Sequence, residues 1–207
     1  MNSILLSIMQ SIKPFHCENI AIGRKGYEVR KTKPNISSPF KSYIYCTKPK
    51  SLYDWGLCID LEIQDVRKYF KINKDYLTSR DYPILDGKVI GEYICDEIQE
   101  WVFDNETNSY DISDDDLVLT CLTQEQLWEY GKGKTLYGYH ISDLKFYDEP
   151  KDLSRFGTKC NLDCPSVHCP YWKYQRVNAD EWDYDCSCNN IRPLTRPPQS
   201  WCYVEEV

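Results

Sequence analysis

Apolar and polar positions alternate in short bursts along this chain, and a helical period holds for only a few turns at a time. SILLSIM followed by QSIKP reads as a first strand, and Pro14 then opens a two-turn helix, FHCENIAI, that Gly23 stops. GYEVRKT and KSYIYCTK alternate as strands do, and GKVIGEYICDEIQEWVF reads as one long strand or a bent pair. TQEQLWEYGKGK predicts a helix with Thr123 as N-cap, Gln126 closing a capping box and Gly131 as the stop. TLYGYHISDLKFYD returns as a strand, and Pro150 is expected to open a short helix running through Phe156. Ile59, Leu61, Ile63, Val66 and Phe70 fit neither period, so the segment at about 50–83 reads as an insertion of unassigned structure. No internal repeat or low-complexity segment interrupts the pattern.

Short strands with small helices between them, and no repeated strand-helix-strand unit, predict an α+β fold that is mainly β. The expected form is a small mixed β-barrel and not a doubly wound parallel sheet. The division expected is 1–156 for the barrel and 157–207 for a cysteine-rich lobe with a C-terminal strand. A chain of 207 residues with 42% hydrophobic and 14% aromatic content has material for a full core, which excludes a disordered class. The apolar start has no basic residue ahead of it and no small-residue cleavage site, and no stretch reaches the ~20 apolar residues of a membrane span. The chain is therefore expected to be soluble and cytoplasmic.

Charge changes the picture because it is unevenly placed. The formal net charge is −7, yet Lys13 to Lys50 holds nine Lys or Arg against two acids, while Val89 to Gly131 holds twelve acids and no Lys or Arg. A local basic patch acts on an anion within about a Debye length whatever the total, so an anionic partner stays open. The acidic segment 92–116 is either a solvated face or a surface for a protein partner.

The basic run centres on IGRKGYEVRK, residues 22–31. With Gly23 ending a helix and a strand starting near Tyr27, period 2 sets Tyr27 and Val29 in the core and Glu28 and Arg30 together on the other face, beside Arg24 and Lys25 in the turn. Arginine offers a bidentate fork to phosphate or to a base edge, lysine a point charge, and Glu28 an acceptor or a proton carrier.

Gly23, Lys25, Glu28 and Arg30 follow a G-x-K-x-x-E-x-R pattern, and with it the chain resembles the ASCH domain, a PUA-like small β-barrel. GKVIGEYICDEI, YGYHISDLKFYDEPKDL and RPPQSWCYVEE extend the likeness to longer ASCH-containing proteins of phages and bacteria, leaving out residues 50–83. The resemblance implies a cleft lined by Arg24, Lys25, Glu28 and Arg30 that takes RNA or a modified nucleotide. Some ASCH proteins are nucleases, and one is an amidohydrolase acting on a cytidine acylated at its exocyclic amine. In that enzyme a lysine activates a threonine, with a glutamate from a later strand. Lys25 stands at the matching lysine, whereas Glu28 stands where the threonine would be, so hydrolysis would have to use a carboxylate as base toward water.

Glu92 is the candidate second carboxylate. It shares strand parity with Ile90, Ile94 and Ile98, and if those residues face inward its pKa is tuned toward neutrality by burial. If Val89, Tyr93 and Cys95 face inward instead, Glu92 is solvated. The candidate catalytic set is Lys25, Glu28 and Glu92. His16, His140 and His168 fit no nucleophile or H-E-x-x-H pattern, and no phosphate-binding glycine loop is present, so ATP and dinucleotide cofactors are not indicated. His140 reads as a structural residue, and Trp55, Trp101 and Trp128 as core packing before base stacking.

Eleven cysteines divide into two sets. Cys17, Cys46, Cys58, Cys95 and Cys121 are scattered among apolar neighbours and read as small core residues. Cys160, Cys164, Cys169, Cys186 and Cys188, with His168 among them and Cys202 further on, have the two-group outline of a structural Zn²⁺ site. The alternatives are an iron–sulfur cluster or free or disulfide-forming thiols. The loop between the groups, with Trp172, Arg176 and Trp182, is expected to be a satellite lobe. The first expectation for function is a nucleic-acid or modified-nucleotide binding module. The second is a hydrolase using the same cleft, and the third a phage–host interaction protein working through its acidic surface.

Overall fold

The computed structural model describes residues 7–48, 87–159 and 191–207 in full, and residues 172–178 and 181–186 by their backbone. Its strands are β1 (Ser7–Ile12), β2 (Tyr27–Arg30), β3 (Phe40–Cys46), β4 (Lys88–Cys95), β5 (Ile98–Trp101), β6 (Phe103–Asp104), β7 (Ser109–Tyr110) and β8 (Leu136–His140). The later strands are β9 (Ser142–Lys151), β10 (Phe156–Lys159), β11 (Trp172–Asn178), β12 (Glu181–Cys186), β13 (Ile191–Pro193), β14 (Trp201–Tyr203) and β15 (Glu205–Glu206). Helices α1 (Pro14–Ala21), α2 (Asp114–Thr120) and α3 (Gln124–Gly131) lie between them. The fold is α+β and mainly β, as the pattern of short alternating stretches implies. No helix among the described residues is long and apolar enough to cross a membrane.

A five-stranded sheet runs β14-β1-β3-β4-β9, with β1 parallel to β3 and every other pair antiparallel. A three-stranded antiparallel sheet runs β2-β8-β5, and the crossover from β1 to β3 carries α1 and β2. Among the described residues no ladder closes into a continuous barrel. Alternation along β1 and β3 sends Ile8, Ile12, Phe40 and Ile44 to a core shared with α1 and with Tyr139 of β8. Met9, Tyr43 and Tyr45 go to a second core, under Phe156 and Val204. The far face of the three-stranded sheet, with Tyr27, Val29, Trp101 and Leu136, packs under Leu127 of α3 and Leu117 and Leu119 of α2. The three-stranded sheet is therefore covered on both sides, and that decides the character of β2.

Several sequence expectations are corrected. TLYGYHISDLKFYD forms β8 and β9 in two different sheets, with Ile141 between them. Pro150 lies within β9, an edge strand where a missing N–H is tolerated, and a 3-10 turn spans Leu153–Arg155 after Asp152. The Thr123 capping box is present, but α3 runs through Gly131 and ends at Lys132, which takes φ 53°. Gly131 serves packing: a Cβ there would lie 1.9 Å from the Tyr110 hydroxyl. Helix α2 was legible in principle from Ser113, whose side chain accepts from the Asp116 backbone N–H, and its acidic first turn of Asp114, Asp115 and Asp116 suits a helix N-terminus.

Residues 191–207 join the body, β14 on β1 and both β13 and β15 on β10. The chain between the two cysteine groups forms an antiparallel hairpin, β11 with β12, that sets Trp172 opposite Cys186. The segment at 50–83, with Trp55 and Cys58, lies outside the described residues, as do Cys160, Cys164, Cys169, Cys188 and His168. Among the described residues no three His, Cys, Asp or Glu side chains group to hold a metal. Cys17, Cys46 and Cys95 are buried, and Cys121 is half-buried.

Candidate functional site

The turn after α1 sets Lys25 in place. Gly23 takes φ +74°, which lets the chain reverse, and the backbone N–H groups of Arg24 and Lys25 both donate to the Asn19 carbonyl, at 2.9 and 3.0 Å. Gly26 then donates to the Leu119 carbonyl (2.8 Å) and accepts from Ile141 (2.9 Å), fixing the start of β2 against α2 and the β8–β9 corner. From this turn the Lys25 ammonium reaches the Thr120 carbonyl at 2.6 Å. Thr120 ends α2, so the cation meets a helix C-terminus, where unsatisfied carbonyls favour positive charge.

Glu28 and Arg30 project together, as period 2 requires, but not into solvent. Their relative exposures are 5% and 6%, and that of Lys25 is 3%, because the five-stranded sheet and α1 cover this face of β2. Glu28 Oε2 lies 3.5 Å from Lys25 Nζ, and Glu28 Oε1 lies 3.1 Å from Arg30 Nη2. Arg30 Nη2 also donates to the Ser11 carbonyl at 2.8 Å. Burial pushes the Glu28 carboxyl up, but Lys25, Arg30 and His16 together outweigh it and hold the group below the usual carboxylate range. Burial pulls the Lys25 ammonium down from its ordinary value, and Glu28 offsets only part of that.

His16 of α1 completes the cluster. Burial, aided by Lys25, Lys13 and Arg30 and opposed by Glu28, lowers its imidazole to about 4, so the ring is neutral at pH 7. Its Nδ1 has no hydrogen-bond partner among the described residues, and neither do Glu28 Oε2 and Arg30 Nε. All three groups line one cleft of about 600 Å³, whose walls include Gln126 and Tyr130 of α3 and Pro197 and Pro198 from the C-terminal segment. Unsatisfied buried polar atoms cost about 1–3 kcal/mol each, so three in one cleft make it the candidate site in this fold.

The structure brings Lys25, Glu28 and Arg30 together and leaves Arg24 and Glu92 apart. Arg24 is exposed and does not line the cleft. Glu92 lies on the opposite face of the five-stranded sheet, where its carboxylate accepts from Lys41 Nζ at 3.0 Å and from the Tyr147 hydroxyl at 2.6 Å. Burial pushes that carboxyl up, and Tyr147 and Lys41 more than reverse the effect. A bulge at Ile90, opposite Ile44 and Tyr45, changes the parity of β4, so Ile90 shares a core with Tyr93 and Cys95 while Glu92 faces away. His140 pairs through Nδ1 with Asp96 at 2.7 Å. Trp101 is core, whereas Trp128 is 43% exposed beneath the Lys132 ammonium. His16, Lys13, Lys48 and Tyr130 were not marked by any motif, because the cleft assembles them from separate elements.

No protein-family model matches the chain, and no curated protein matches it. Solved structures of an ASCH protein from Zymomonas mobilis are similar to it. One has 15% identity, covering 71% of this chain and 73% of that chain, with a TM-score of 0.44. Two variants of the same protein each have 16% identity over 71% of this chain, with TM-scores of 0.43 and 0.45.

Proposed function

We propose that this chain is an ASCH-type module that binds single-stranded RNA or a modified nucleotide in the cleft above Lys25, Glu28 and Arg30. The observation that carries this reading is a buried charged trio at the base of an open cleft, with polar atoms that have no hydrogen-bond partner among the described residues. Buried charges held this way are costly unless each is paired and hydrogen-bonded, so the arrangement is better explained by recognition than by stability. The test is fluorescence anisotropy with a labelled random-sequence single-stranded RNA and a panel of nucleotides across a salt series. Wild-type protein binds RNA with an affinity that falls as salt rises. Arg30→Lys, which keeps the charge and loses the Nε donor, weakens binding about tenfold, the loss expected for one hydrogen bond to a charged group. A wild type that binds neither RNA nor any nucleotide refutes the reading.

A second reading, hydrolysis, is favoured by the state of Glu28. Its carboxylate is held ionised, with Oε2 ion-paired to Lys25 at 3.5 Å but without a hydrogen bond among the described residues, beside a lysine whose pKa is lowered. In that role Glu28 takes a proton from a water whose oxygen bonds to an acyl carbon. Arg30 faces the oxyanion that forms, and the departing amine leaves with a proton returned from Glu28. Product formation across a panel of acylated nucleosides, lost in Glu28→Gln, supports hydrolysis; no turnover by wild type rules it out and leaves binding.

A further inference from the structure

The cleft has two chemically different zones. At its base the cationic donors are already committed: Arg30 Nη2 to Glu28 and the Ser11 carbonyl, Lys25 Nζ to the Thr120 carbonyl beside Glu28. Among the described residues, the buried polar atoms there without a hydrogen-bond partner are the donor Arg30 Nε, the anionic acceptor Glu28 Oε2, which Lys25 approaches at 3.5 Å, and the imidazole nitrogen His16 Nδ1. A phosphate brought to this base would meet the Glu28 carboxylate as a like charge in a poorly solvated place. A neutral group with both N–H and acceptor positions would satisfy all three atoms. Higher up, Lys13 and Lys48 line the same cleft, are exposed, and have no ion-pair partner among the described residues. They are hydrated point charges of the kind that hold a phosphate.

We propose that His16, Glu28 and Arg30 read the neutral hydrogen-bonding edge of a heterocyclic base, while Lys13 and Lys48 hold the phosphate attached to it. The inference rests on the nucleic-acid reading above and deepens it. The ligand is a base that carries its phosphate, as in a single-stranded RNA chain, and the buried charges of the motif serve base selection and not phosphate attraction. His16, which belongs to no motif, becomes a binding residue.

The experiment compares labelled random-sequence single-stranded RNA with an abasic chain of the same sugar-phosphate length, with inorganic phosphate as competitor. His16→Phe keeps a ring of similar size and gives up no internal bond at Nδ1. It is expected to weaken RNA binding about tenfold, leaving the salt slope and the abasic affinity unchanged. Lys13→Gln with Lys48→Gln is expected to weaken both chains and to lower the single-strand salt slope by about 1.4, or about 0.7 per lost phosphate contact. His16→Asn, which presents an amide near the position of Nδ1, is expected to recover part of the RNA affinity. Equal losses on RNA and the abasic chain in His16→Phe overturn the division into zones, as does an unchanged slope in the lysine double variant. So does inorganic phosphate competing as strongly as RNA, since the site would then be a phosphate pocket. Absence of RNA binding by wild type would refute the functional reading itself, which separates the two failures.

Discussion

Acidification should destabilise this protein through His16 before it touches Glu28. The imidazole is lowered from 6.5 to about 4 by burial and by Lys25, Lys13 and Arg30, against the pull of Glu28. The folded value lies below the unfolded one, so the unfolded chain takes up a proton first and stability falls as pH drops from about 6.5 toward about 4. Integrating that difference gives a loss of about 2 kcal/mol between pH 7 and pH 5. Glu28, held below the carboxylate range in the folded protein, adds its own loss of stability chiefly below about pH 5, where the unfolded chain's carboxyl takes up a proton. Urea unfolding at a series of pH values, for wild type and His16→Phe, isolates the effect, because the remaining carboxylates titrate alike in both proteins. The wild type should lose about 2 kcal/mol more than the variant over that interval. A difference below about 0.5 kcal/mol refutes the placement of His16 as a half-buried neutral ring beside Lys25 and Arg30. Where the variant folds poorly, an NMR titration of wild type decides the matter, since one of the three imidazoles should titrate near 4.

Two further expectations concern packing and the cysteines. A Cβ at Gly138 would lie 2.2 Å from the Trp101 ring, so Gly138→Ala should cost about 1–3 kcal/mol of stability. Trp101→Phe in the same chain should recover part of it, and strict additivity of the two losses in denaturant unfolding would show that the ring is not the obstacle. The spacing of Cys160, Cys164, Cys169, Cys186 and Cys188 around the β11–β12 hairpin predicts one equivalent of zinc by elemental analysis of protein purified without chelator. Less than about a tenth of an equivalent removes zinc from the account, and with zinc present its chelation should leave β1 paired with β14.

Local patterns in the chain were enough to define several of its elements and to set Glu28 and Arg30 on one face beside Lys25. Pro14 and Gly23 bracket α1, Thr123 and Gln126 cap α3, and the alternation of YEVR puts Glu28 beside Arg30 and Val29 beside Tyr27, because caps and strand parity depend on neighbours within a few residues. The break between β4 and β5 was equally legible as a bent pair. What only the tertiary structure decided is which faces are covered. Period 2 says that Glu28 and Arg30 share a side, but their burial comes from β1, β3 and α1 crossing over that side, contacts distant in sequence from β2. Parity along β4 fails at the Ile90 bulge, since one extra residue turns every side chain beyond it to the other face and carries Glu92 away from the cleft. His16, Lys13, Lys48 and Tyr130 meet only because separate elements end around one opening. A sequence pattern records the period of a backbone. Which charges lose their water, and which are left to meet a ligand, is set by the long-range packing that closes over them.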